Sequence, residues 1–117
     1  MSVIVKTKQP HRLVKRIKEL IDNNEIDTWE YDSDGDFTHS PDQWHNHCWM
    51  HPHVTQAGEE VVFAIIGRIH FDITTTEYAV YHGRFIEMLL SHFDTMIRSA
   101  EATSMPTKYD IIKASDK

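Results

Sequence analysis

Histidine is the side chain that stands out for chemistry. The chain has nine, and His39, His45, His47, His51 and His53 fall close together. His45 and His47 are separated by one residue. On a β-strand that spacing puts both imidazoles on one face, about 7 Å apart at a rise of ~3.3 Å per residue. Two imidazoles so placed can hold one metal ion, and a catalytic zinc site adds a third His or a carboxylate plus a water. His51 shares the face if the strand continues. That makes His45, His47 and His51 the candidate zinc ligands, with Glu30 or Asp42 as an acid partner. The competing expectation is a row of strand histidines that face water or pack beside Trp49. An HxH pair with no second motif at a fixed spacing does not define an enzyme. The sequence therefore assigns no cofactor, and zinc stands as the alternative.

A second constellation is aromatic. Trp29, Tyr31, Trp44 and Trp49 lie near one another in sequence, and His70 sits on the polar face of an apolar stretch further on. Aromatic rings with polar groups among them can line a ligand pocket or a partner surface; core packing is the default for the same rings. Cys48 alternates with Trp44 and Met50, the pattern of a small buried hydrophobe and not of a nucleophile. Asp32–Ser33–Asp34–Gly35–Asp36 has the look of a calcium loop, but that motif needs Gly at its sixth position and Glu at its twelfth. Here those positions are Phe37 and Gln43, so the acidic run reads as a hairpin turn. His82 and His92 are too far apart on one helix, about 15 Å along its axis, to share an ion.

These residues need elements to place them. Glu59 to Ile73 is β-branched and aromatic and alternates with a period of two. One face carries Val61, Phe63, Ile65, Gly67, Ile69, Phe71 and Ile73, and the other turns polar after Ile66. It predicts a central strand with helices on its apolar face. Gly67 marks a bulge or a close approach. Pro10 suits the first turn of a helix running to about Asn23, with Leu13, Val14, Ile17, Leu20 and Ile21 as its stripe. Ile26 to Asp32 and Phe37 to His39 predict a hairpin, Gln43 to His51 a third strand ended by Pro52. A long final helix is expected over Glu77 to Ala102, capped by Thr75 or Thr76. A strand over 77–82 is the alternative. Residues 1–8 read as a loose arm or edge strand, and 104–117 as a tail with a short edge strand near Tyr109–Ile112.

The expected fold is α+β in one domain, 1–117. An antiparallel sheet of about four strands carries an N-terminal and a long C-terminal helix on one face. A hydrophobic content of 40% supports a folded globule. No apolar run approaches the ~20 residues of a membrane span, and the N-terminus lacks the apolar core of a signal peptide. One cysteine allows no internal disulfide. A cytoplasmic location follows as the expectation. The net charge of −6 is unevenly placed. Residues 1–21 carry six basic side chains against one acidic, and the remainder six against 17. The basic end could dock on an acidic surface of a second copy, or form an ordinary solvated helix face.

The function expected is a non-catalytic domain, working as a homodimer, that binds a protein or a small molecule. The alternative is an enzyme using His45 and His47. In element order alone, α-β-β-β-α, the chain is similar to the double-stranded-RNA-binding domain. The basic cluster which that family places at the start of its last helix is replaced here by Thr75–Thr76–Glu77–Tyr78, and the overall charge opposes RNA.

Overall fold

A computed structural model describes residues 1–113. Its elements are β1 (Ser2–Lys6), α1 (Pro10–Asp22), β2 (Trp29–Tyr31), β3 (Phe37–His39), β4 (Trp49–Val54), β5 (Glu60–Arg68), α2 (Thr75–Phe93), β6 (Ser99–Ala102) and β7 (Ile111–Lys113). The fold is α+β. The sheet has the order β2-β3-β4-β5-β1-β6 with antiparallel neighbours, and β7 adds to β5 in parallel. Among the described residues no helix is long and apolar enough to cross a membrane.

The central strand lies where the alternation puts it, but it is shorter. Val61, Phe63 and Ile65 join one core with Leu13, Ile17 and Leu20 of α1 and Tyr81, Phe85, Leu89 and Phe93 of α2. Phe63 meets Phe37 and Phe85 ring to ring, at 6.2 and 4.7 Å. The opposite face is more buried than its polarity suggests: Val62, Ala64 and Ile66 are buried, beside Trp49 on β4. The strand ends at Arg68, and Ile69 and Phe71 are open to water where a buried face was expected. Gly67 shows why. A Cβ there would lie 2.8 Å from Ile73 Cδ1. The chain folds back after Arg68 and lays Ile73 on the glycine, which is the close approach a mid-strand Gly permits.

The sheet has seven strands where about four were expected: β1, β6 and β7 add to the meander β2-β3-β4-β5. Ser2–Lys6 is no arm or edge: β1 lies between β5 and β6, with Val3 and Val5 fully buried. The second helix begins with a capping box, in which Thr74 accepts from the Glu77 N–H and Glu77 accepts from the Thr74 N–H. Residues 77–82 are helical. The helix stops at Phe93, not Ala102, and is not C-terminal. Thr7 donates to the Met96 carbonyl and the Arg98 N–H donates to the Lys6 carbonyl, which draws the following residues alongside β1 as β6. Residues 42–46 are turns and His47 a bend, so the third strand begins only at Trp49. Pro52 lies inside that strand. The pairing with β3 is registered at Met50 alone, so the missing N–H of Pro52 breaks no ladder there. Residues 103–110 form a strap rather than a loose tail; residues 114–117 of the expected tail lie outside the described residues.

Candidate functional site

The turn run at 41–47 changes what the histidines can do. His45 and His47 do not share a strand face. His45 Nε2 pairs with Glu30 on β2, His47 Nδ1 lies 2.6 Å from Glu77 at the start of α2, and His51 Nδ1 lies 2.5 Å from Asp36 before β3. Each of the three candidate zinc ligands therefore has its own carboxylate, on β2, at the start of α2 and in the turn before β3. Together the pairs staple the 40–51 segment to the sheet and to α2. Burial works against the charge of Glu77, but the Thr74 N–H and His47 outweigh it and hold the carboxyl below its usual value. Among the described residues, the group of three ligand-type side chains that converges is Asp32, Asp34 and Asp36, with ligand atoms within 4.8 Å. Its hydrogen bonds explain it as a turn: Asp32 Oδ1 accepts from the N–H groups of Asp34 and Asp36, and Gly35 takes φ 81°.

The aromatic set divides. Trp29 and Trp49 are buried, with Trp29 edge-on to Tyr81 and Phe85 in the core. Tyr31 is half-buried and donates to Asp22 at 2.7 Å. Trp44 is half-buried, and its carbonyl accepts from the Tyr81 hydroxyl. Tyr81 also shares a 3.0 Å hydrogen bond with Thr38, and burial pushes its phenol up to about 12. Cys48 is fully buried, and burial drives its thiol far above the ordinary value, which keeps it protonated and unreactive. His39 lies on Trp29 at 4.6 Å with Nδ1 donating to the Thr28 carbonyl; burial holds its pKa below the usual value. Of the pocket residues expected from sequence, His70 alone is exposed, and it lies in the loop between Ile69 and Phe71.

That loop borders a groove of about 500 Å³ between the end of β5 and the strap. Ile65, Arg68, Phe71, Ile73, Pro106 and Ile111 give it its character. The Arg68 guanidinium carbon lies over the Trp49 ring at 5.7 Å and over the Phe71 ring at 5.7 Å. Its Nε is buried without a hydrogen-bond partner. At the groove's edge Asp110 closes the strap. Its carboxylate takes the Met1 ammonium at 3.0 Å, the Ser2 hydroxyl at 3.0 Å, the Ile65 N–H at 3.2 Å and the Thr107 N–H at 2.8 Å. Burial opposes its charge, but these donors outweigh it and keep its pKa low.

Two other hollows differ in kind. One of about 610 Å³ between α1 and β4 is fringed by His11, Lys15, Lys18 and His53. The other, about 110 Å³, brings Trp29 and His39 to Arg84 and Glu87. Sequence reasoning passed over Arg68, Pro106 and Ile111. The available signal was Arg68 itself, a lone cation closing an apolar run. Set against known proteins, the chain matches no family model, no curated protein and no solved structure.

Proposed function

We propose that this chain is a small non-catalytic binding domain and that the groove between the end of β5 and the strap is its working surface. One observation carries the reading. Five large apolar side chains are exposed among the described residues. Phe71 (61% exposed) and Ile111 (46%) line the groove, and Ile69 and Met105 are chain neighbours of the lining residues Arg68 and Pro106. Only Leu90 lies elsewhere, on α2. Burying one such side chain is worth about 1.5–3 kcal/mol, so a cluster left in water marks a place where something binds. The volume falls in the roughly 300–1,000 Å³ range of small-molecule sites.

Decanol, a neutral apolar probe, tests this. Phe71→Ser is expected to weaken decanol binding about tenfold, as loss of one buried ring implies. Leu90→Ser should leave it unchanged. Equal effects of the two substitutions would contradict the reading.

A second reading, self-association, has its support in charge. His11, Arg12 and Lys15 lie exposed or half-exposed along α1. Asp34, Asp42, Glu25 and Asp27 are exposed on the far side of the sequence imbalance. A second copy would bring the two signs together.

A further inference from the structure

Resting on the groove being a binding site, we infer that its ligand is a small amphipathic carboxylate: an apolar chain lying along Phe71, Ile73 and Ile111, with its acid group on Arg68. The cation is what singles out this chemistry. Among the described residues the Arg68 side chain forms no ion pair and no hydrogen bond, although Asp72 and Asp110 both border the groove. Asp110 is already engaged by four donors, and Asp72 points its exposed side chain to water. The guanidinium carbon lies 5.7 Å from the centroid of the Trp49 ring and 5.7 Å from that of the Phe71 ring, so two aromatic rings and no carboxylate neighbour the charge. A guanidinium presents its N–H groups as a planar fork that a carboxylate matches with two parallel hydrogen bonds, and among the described residues no carboxylate takes the fork of Arg68. Beside Asp72, Thr107 and Asp110 the lining is apolar, with Ile65, Phe71, Ile73, Pro106 and Ile111, so one anionic head on Arg68 and one apolar body describe the complement.

A peptide fits the same groove poorly. Its backbone would bring N–H and C=O groups that need partners. The Thr107 hydroxyl is taken by Ser2 at 2.8 Å and by the Tyr109 N–H, and Asp110 is saturated. A free acid brings no such groups along its chain.

Decanoate and decanol share a chain and differ in the head, so they separate this inference from the groove itself. Trp49 fluorescence under Arg68 reads both titrations, with chemical-shift mapping as the check on location. Decanoate is expected to bind about tenfold tighter than decanol or better, the scale of a charge-assisted hydrogen bond. Arg68→Gln should bring the decanoate affinity down to the decanol affinity measured in the same variant, which removes the preference between the two heads. Arg68→Lys should restore only part of the preference, because the charge returns without the fork. Circular dichroism confirms that each variant is folded. If decanoate and decanol bind alike in the unsubstituted protein, the carboxylate assignment is overturned while the groove survives. If neither binds, both fall. A C-terminal peptide acid that binds tighter than decanoate also overturns it.

Discussion

Asp110 shows how a single side chain can set a surface. It gathers the Met1 ammonium, Ser2, Ile65 and Thr107 at one point and so fixes the strap against the end of β5. Asp110→Ala removes the acceptor and leaves those donors partly buried, at a cost of about 3 kcal/mol. The pH dependence follows from its low pKa. A carboxyl depressed in the folded state stabilises fully above its unfolded pKa of about 3.8 and loses that contribution as pH falls through the lower folded value. Urea unfolding should therefore show a wide gap between wild type and Asp110→Ala at pH 7 and a narrower one well below pH 3.8. A gap that does not change with pH would show that the charge plays no part. None of this was legible in the sequence, because Asp110 meets partners as far as 109 positions away. The histidines misled for a related reason. Their spacing fits a strand, but residues 42–47 are turned, and three carboxylates from β2, α2 and the turn before β3 take them up one by one.

Elements were readable where the pattern is local. The helix α1 carries its stripe and its Pro at the first turn, and the β2-β3 hairpin has Asp-Gly chemistry, so periodicity alone places both. The strand β6 reads Ser-Ala-Glu-Ala, a good helix sequence, and it is extended only because β1 pairs with it from Val3 to Lys6. That is why the last helix was expected to run on. The turn after β5 was half legible: Gly67 announced a close approach without saying to what. Its partner is Ile73, and this contact shapes one wall of the groove. Gly67→Ala should cost about 1–2 kcal/mol through overpacking. Ile73→Val, which shortens the clashing arm, should recover part of that loss in the double variant. Strict additivity of the two changes in thermal unfolding would refute the contact as the cause.

At the scale of the whole molecule, the basic start and acidic remainder of the chain are partly matched within one copy. Lys18 lies over Tyr31 at 5.5 Å and reaches the acidic turn at Gly35, and the Met1 ammonium pairs with Asp110 at 3.0 Å. The exposed remainder on α1 is what self-association would use. Sedimentation at about 50 mM and about 500 mM salt checks this, since screening shortens the reach of exposed charges from roughly 14 Å to about 4 Å. A dimer that weakens with salt is the expected result, and a monomer at both concentrations would remove the second reading.

The groove stands or falls on where an apolar probe lands. Backbone amide shifts recorded as decanol is added to the ¹⁵N-labelled chain should move for Ile65 to Ile73 and Thr107 to Ile111 and stay still along α1 and the Trp29–His39 hairpin. Shifts scattered over the surface, or centred on the hollow between α1 and β4, would contradict the assignment of this face as the binding surface.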